Sequence, residues 1–300
     1  MIASAAALAV VAGPGSDYLL SLLLGIIEGV TEFLPVSSTA HLRIAQALLG
    51  VDLEDGYWKM YTIVIQLGAI LSLPIYFRAR IAGLLRTFPR GEHGDRTLLN
   101  HPVSLTLLAF VFTAVPSLML VKVIGENLES LYVMGGALVI GGVLMWAIDR
   151  VYGNATRTPS MDVMSTGQAI WIGLCQALAA VFPGASRSMA TIAAGQVTGM
   201  SRPAALEFSF FLSMPTMFAA TGYDLFKSLR PGGENPIGAT GIDAHGWIVL
   251  AIGFVASFVV AYAVVAWFMA WVRKRGFVPF AIYRIVIGVA VLAWAFAAAR

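Results

Sequence analysis

Along most of this chain polar residues gather in short clusters between long apolar runs. Six runs, about 61–77, 102–121, 131–149, 204–222, 246–270 and 280–298, read as membrane-crossing helices, since about 20 mostly apolar residues span a bilayer core. Four more, about 18–33, 38–50, 166–181 and 187–199, are too short or too interrupted to cross. They form two pairs, each divided at a proline: FLPVSS (33–38) and VFPGAS (181–186). A short helix, a break and a second short helix predict a re-entrant hairpin. Irregular backbone at membrane depth is tolerated only where protein or a water-filled cavity surrounds it. The expected fold is an all-α polytopic membrane protein with six transmembrane helices and two re-entrant hairpins.

The pattern also repeats. A shift of 148 places Gly25, Glu28, Pro35 and Ser38 on Gly173, Gln176, Pro183 and Ser186. Each half then reads as a hairpin followed by three spans, repeat 1 over about 18–150 and repeat 2 over about 165–300 of a single membrane domain. Three is odd, so the halves enter the membrane with opposite polarity. Such an inverted-topology repeat places its binding site near the midplane, where discontinuous helices meet.

Loop charge sets orientation, because cytoplasmic loops collect Lys and Arg. Arg78, Arg80, Arg86, Arg90 and Arg96 outnumber Glu92 and Asp95, which puts that loop inside. Arg150 and Arg157, then Arg273, Lys274 and Arg275, mark two more inner connections. Lys122 with Glu126 and Glu129 reads as outside, as do Asp224, Glu234 and Asp243 against Lys227 and Arg230. Both termini fall outside, with Asp52, Glu54 and Asp55. The apolar start MIASAAALAVVAG lacks a basic leader and reads as an interfacial lead-in.

Composition agrees with the pattern. Of 300 residues 59% are hydrophobic and 12% charged, about half the charged share of a soluble domain. The net charge of +3 gives no argument for nucleic acid. Cys175 is the sole cysteine, which excludes an intrachain disulfide and a cysteine metal cluster.

Against this background EGVTEFLPVSSTAH (28–41) stands out. Glu28 and Glu32, four apart, share one helix face among Leu24, Ile27, Val30 and Phe33. Two buried carboxylates this close need a divalent cation, a shared proton or a nearby arginine. Beyond Pro35 a helix restart puts Ser37 or Ser38 near its N-cap, with His41 within the first turn. Capping alone accounts for the serines. The imidazole and two carboxylates on the same hairpin add the chemistry of a reactive hydroxyl or imidazole.

The second break, PGASRSMAT (183–191), has the chemistry of an anion cradle. Its helix opens with Ser186, Arg187 and Ser188, where free N–H groups point outward. Arg187 adds a planar fork suited to phosphate oxygens, and Thr191 lies one turn on. Carboxylates attract a phosphate only through a bridging metal. Taken together, the breaks fit a polyanion with Mg²⁺ or Ca²⁺, and among lipid-facing helices that polyanion is a phosphorylated lipid.

Both motifs resemble the signatures of the bacterial undecaprenyl-diphosphate phosphatases, the bacitracin-resistance family. VIQLGAIL (64–71), EFSFFLSMP (207–215) and FAIYRIVIG (280–288) are similar to it as well. The resemblance implies that Glu28 and Glu32 are the acidic pair and that Ser38 and His41 are catalytic candidates. It also implies that Ser186, Arg187 and Thr191 bind phosphate. The implied activity removes the terminal phosphate of a C55 polyprenyl diphosphate in the bacterial cytoplasmic membrane, reached from the outer face. Gln176 and Ala180 stand where the second repeat would carry acids, so the first hairpin is expected to hold any metal.

Three routes stay open at this level: attack by Ser38 with His41 or a carboxylate taking its proton, attack by His41, or attack by a water. A transporter or flippase of a lipid phosphate is the competing class, since inverted repeats with broken helices are a transporter architecture. Arg284 and Glu207 fall in predicted spans, where pairing with each other or with Asp149 is expected. Gly135–Gly136 and Gly141–Gly142 admit close helix approach, including a homodimer contact.

Overall fold

The computed structural model describes residues 14–52, 55–120, 130–154, 157–229 and 242–298. The lead-in 1–13, Glu54, Lys122, Glu126, Glu129, Arg230 and Glu234 lie outside the described residues, and with them part of the charge argument for orientation.

Among the described residues eleven α-helices carry the fold. They are α1 Pro14–Thr31, α2 Ser38–Leu48, α3 Gly56–Tyr76, α4 Arg78–Thr87, α5 Pro102–Met119 and α6 Leu131–Tyr152. They continue as α7 Thr166–Val181, α8 Arg187–Val197, α9 Arg202–Leu229, α10 Ala244–Val272 and α11 Val278–Ala298. Six of them, α3, α5, α6, α9, α10 and α11, are long and apolar enough to cross a membrane. The protein is therefore a multi-pass, all-helical membrane protein. Twice a helix pair is followed by three candidate spans, with α4 inserted in the first run, and α7 keeps the bounds expected from sequence.

One segment differs from its expectation. Residues 78–87 form a ten-residue helix where the charge pattern reads only as a loop. The stretch RARIAGLLRT contains good helix formers and no proline, and it buries Leu84 while exposing Arg78 and Arg86.

The chain folds as two compact units, each drawn from both sequence halves. Of the described residues, the first takes those within 14–33, 38–76 and 217–265. Its core holds Leu20, Leu24, Leu42, Met60, Tyr61, Ile65 and Val249. Here α1 lies directly on α10: a Cβ at Gly25 would come 2.6 Å from the Gly253 carbonyl oxygen, and one at Gly29 2.7 Å from that of Ser257. Ser21 donates to the Val249 carbonyl at 2.6 Å, fixing the same pair.

The second unit takes the described residues within 34–37, 77–216 and 266–298. In it α7 lies as closely on α5, with a Cβ at Gly173 only 2.4 Å from the Ala109 carbonyl oxygen. Gly25 and Gly173 are the matched glycines of the sequence repeat. Each lets the first helix of a hairpin touch a long helix from the other half of the chain. The glycines of α6 serve α11: Cβ atoms at Gly135 and Gly142 would meet Leu292 and Ile285. Gly141 faces Arg284 and Met189 within the chain, whereas nothing approaches a Cβ at Gly136 within 4 Å.

The expected Arg284–Glu207–Asp149 pairing does not form. Glu207 accepts from Arg80 Nε at 2.9 Å, and Asp149 accepts from Arg202 Nε at 2.7 Å. Asp149 also accepts from Gln196 at 2.9 Å and from the Phe277 N–H at 3.0 Å, knotting α6, α8, α9 and the start of α11. Arg284 bonds to backbone carbonyls instead, as described below.

Candidate active site

In the first unit α1 runs down to Thr31, and the Glu32 N–H still donates to the Glu28 carbonyl at 2.9 Å. The two glutamates therefore share a face, as the spacing predicts, and both are buried, at 1% and 5% exposure. Ser38 is the first residue of α2, and its hydroxyl donates to Glu32 Oε2 in a short hydrogen bond. Of the proton acceptors left open by sequence, the Glu32 carboxylate is in hydrogen-bond contact with Ser38. His41 is half-buried one helical turn beyond Ser38.

The second unit holds the other break. After Val181 the chain turns through Pro183 and Gly184, the latter at φ 93°. A Cβ at Gly184 would lie 2.6 Å from the Met134 carbonyl oxygen, so only glycine fits. Ser186, at φ 69°, caps α8 by accepting from the Met189 N–H at 3.3 Å. Arg187 and Ser188 open the helix, where N–H groups of the first turn lack intrahelical partners. Ser188 is buried and Arg187 half-buried. Thr191, at 1% exposure, is engaged locally: its hydroxyl lies 3.0 Å from the Arg187 carbonyl and 2.6 Å from Ser209 Oγ. Its evident part is to brace the start of α8 against α9.

Ser37 belongs to the second unit with Leu34, Pro35 and Val36, and is buried at φ 74°. It precedes α2 as Ser186 precedes α8. The structural match is thus Ser37 with Ser186, one residue off the sequence shift, because the first break takes one residue fewer between its proline and that serine.

The residue that sequence reasoning undervalued is Arg284 of α11. It is fully buried, yet no carboxylate meets it among the described residues. Nη1 donates to the Pro35 carbonyl at 3.1 Å, and Nη2 lies 3.0 Å from the carbonyls of both Gly184 and Ala185 and 3.2 Å from that of Ala137. One guanidinium thus ties the apex of the first break to that of the second, all within the second unit. The available signal was a lone arginine inside the apolar run FAIYRIVIG, an expensive placement that marks function in membrane segments.

No cluster of three or more His, Cys, Asp or Glu side chains able to hold a metal occurs among the described residues. The buried pair Glu28 and Glu32 still fits a hard cation shared with a substrate, since Mg²⁺ characteristically takes one or two carboxylates and completes its shell with phosphate oxygens and water. Gln176, which replaces the acid in the second hairpin, donates to Thr113 Oγ1 at 3.3 Å and is buried there.

Comparison with known proteins covers these same residues. A family model described as bacitracin resistance protein BacA matches residues 21–290. An undecaprenyl-diphosphatase of Koribacter versatilis is 65% identical over 280 residues, 93% of this chain and 98% of that protein. Proteins of the same description from Rhizobium etli and Caldanaerobacter subterraneus are 40% and 38% identical, over 93% and 90% of this chain and 97% and 93% of their own. With a match that contains both helix breaks, the acidic pair, Ser38, Arg187 and Arg284, the chain belongs to the BacA family of bacitracin resistance proteins.

Proposed function

We propose that this protein is an integral membrane phosphatase that hydrolyses undecaprenyl diphosphate to undecaprenyl phosphate and inorganic phosphate. It would thereby recycle the lipid carrier for peptidoglycan synthesis and confer bacitracin resistance. The observation that carries the reading is the Ser38 hydroxyl donating to the buried Glu32 carboxylate, a nucleophile beside its base. The relatives, described as undecaprenyl-diphosphatases, supply the substrate class.

In the proposed reaction Ser38 Oγ attacks the terminal phosphorus and Glu32 takes its proton. The Oγ–P bond forms as the bridging P–O bond breaks, and the electron pair leaves on undecaprenyl phosphate. Water, losing a proton to His41, then attacks the phosphoserine; the P–Oγ bond breaks, Glu32 returns its proton to Ser38 Oγ, and phosphate is released. Within the second unit, Arg187 and the free N–H groups at the start of α8 have the chemistry to hold phosphate oxygens, with Ser37, Ser186 and Ser188 beside them and Thr191 bracing the helix. Transition-state charge in phosphoryl transfer is spread over those oxygens, so fixed donors there supply most of the catalysis. Glu28 and Glu32 would hold a Mg²⁺ or Ca²⁺, which would neutralise charge on the diphosphate.

The two short helix pairs are read as re-entrant hairpins of an inverted repeat. The exchange of Gly25 and Gly173 contacts between sequence halves and the Arg284 bonds to both apices support this. We place the protein in the bacterial cytoplasmic membrane, with the head group entering from the outer face.

Purified protein in detergent with the C55 diphosphate tests the reading by phosphate release. Activity is expected to vanish on chelation by EDTA and return with Mg²⁺ or Ca²⁺; activity indifferent to EDTA removes the metal role. Absence of any phosphate release from well-folded protein would favour the transporter reading, which the exchange of hairpin packing between halves also fits.

A further inference from the structure

Helix α4 presents a surface that the proposed reaction does not use. It follows α3 after a single residue and leads through residues 88–101 to α5, so in the chain it stands between two candidate spans. It is ten residues long and amphipathic in an unusual sense. On the protein side Leu84 is buried, and Arg80 bonds to Asp162 at 2.6 Å and to Glu207 at 2.9 Å. The opposite arc carries Arg78, Ala82, Leu85 and Arg86 at helical spacing, and Phe88 and Arg90 follow it.

Those side chains are open. Leu85 is 60% and Phe88 41% exposed, and Arg78, Arg86 and Arg90 are exposed as well. Among the described residues none of the three arginines is paired with a carboxylate, whereas Arg80 and Arg96 of the same segment are. Nothing approaches the neighbouring Gly83 within 4 Å of an added Cβ. Three unneutralised guanidinium groups beside exposed Leu and Phe, at the end of a span, reproduce the chemistry of an interfacial helix. Such helices sink an apolar edge to the level of the acyl chains and set basic groups among head groups.

We infer that the outer arc of α4 binds the head groups of anionic phospholipids, with Arg78, Arg86 and Arg90 on the phosphates and Leu85 and Phe88 against the upper acyl chains. Juxtamembrane arginines favour anionic over zwitterionic lipid by about fivefold each at low salt. Guanidinium groups also take phosphate oxygens in pairs. This surface is independent of the phosphatase reading and of every residue placed in it.

The test places a bimane label on Cys175→Ala/Leu85→Cys protein in nanodiscs and quenches it with brominated phosphatidylglycerol or brominated phosphatidylcholine at equal mole fraction. Phosphatidylglycerol is expected to be favoured by tenfold or more, and the preference is expected to fade in high salt. The Arg78→Gln/Arg86→Gln/Arg90→Gln variant is expected to lose it, and the corresponding triple Lys variant to keep most of it, each with an unchanged gel-filtration profile. A label at Val259→Cys, exposed on α10, is expected to show no preference. Equal quenching by the two lipids at position 85, a preference unchanged in the triple Gln variant, or the same preference at position 259 would each overturn the inference.

Discussion

Ser37 and Ser186 occupy the same place in the two helix breaks, each one residue before the second short helix, and each has a positive φ, 74° and 69°. Among the described residues no other non-glycine residue does. A side chain held in that region costs on the order of 1–3 kcal/mol and persists where surrounding structure enforces it, characteristically at functional sites. Two such residues at matched positions, both touching the breaks that Arg284 holds, indicate that the backbone path there is imposed rather than chosen by local preference.

Replacing Ser37 or Ser186 with glycine separates strain from function. Each variant is expected to be more stable than the parent by about 1 kcal/mol, measured by thermal unfolding in detergent, while releasing phosphate more slowly. Ser186→Ala keeps the strain and loses the cap to Met189, so it is expected to be less stable by about 1 kcal/mol. A destabilised, fully active Ser37→Gly protein would contradict the assignment.

Ser38→Ala and Glu32→Gln remove the two ends of one hydrogen bond. Each is expected to lower kcat by about 10² to 10⁴. The double variant is expected to be little worse than either single one, because residues acting as a unit lose their effect together. Additive losses, read from initial rates of phosphate release, would mean that Glu32 serves something other than the Ser38 proton.

Arg187→Lys keeps the charge but gives up the planar fork. A fall in kcat/KM of at least tenfold is expected with no change in unfolding temperature, since Arg187 is only half-buried. Arg284→Lys has a different signature. A single ammonium cannot span carbonyls of Pro35, Ala137, Gly184 and Ala185, so stability should fall by about 2 kcal/mol or more together with activity. Loss of activity with no loss of stability would move Arg284 from positioning to direct substrate contact.

His101, just ahead of α5, gives a pH dependence. It is buried, and its Nδ1 accepts from the Val103 N–H at 3.2 Å, which requires the neutral ring. Burial, and then the charge of Arg96, lowers its pKa from 6.5. The unfolded chain therefore binds the proton first as pH falls, and the folded state loses stability below about pH 6.5. His101→Asn keeps a cap acceptor without titrating. The gap in unfolding temperature between the two proteins should shift in favour of Asn between pH 7 and pH 5, and a constant gap would exclude His101 as the cause.

Much of this site was legible in the sequence because membrane burial makes polar residues conspicuous. Glu28, Glu32 and Ser38 stood in apolar surroundings where each needs a reason, and helical spacing alone aligned the two acids. Arg284 was equally conspicuous, yet the expected partners were carboxylates. Sequence identifies a buried charge but not what meets it, and backbone carbonyls carry no sequence signal at all. Helix α4 was missed for the opposite reason, since its arginines at a span end read as loop charge while its single buried position, Leu84, gives no long apolar stripe.

The order and length of apolar runs by themselves determined the six long helices, the two breaks and the candidate residues, because burial in lipid dictates how long a spanning helix must be. Tertiary structure alone decided that the Ser38 hydroxyl hydrogen-bonds to Glu32, that Gly25 and Gly173 each lean on a helix from the opposite half, and that one guanidinium clasps both apices. Those outcomes depend on distances between segments remote in the chain, which periodicity along a single helix does not encode.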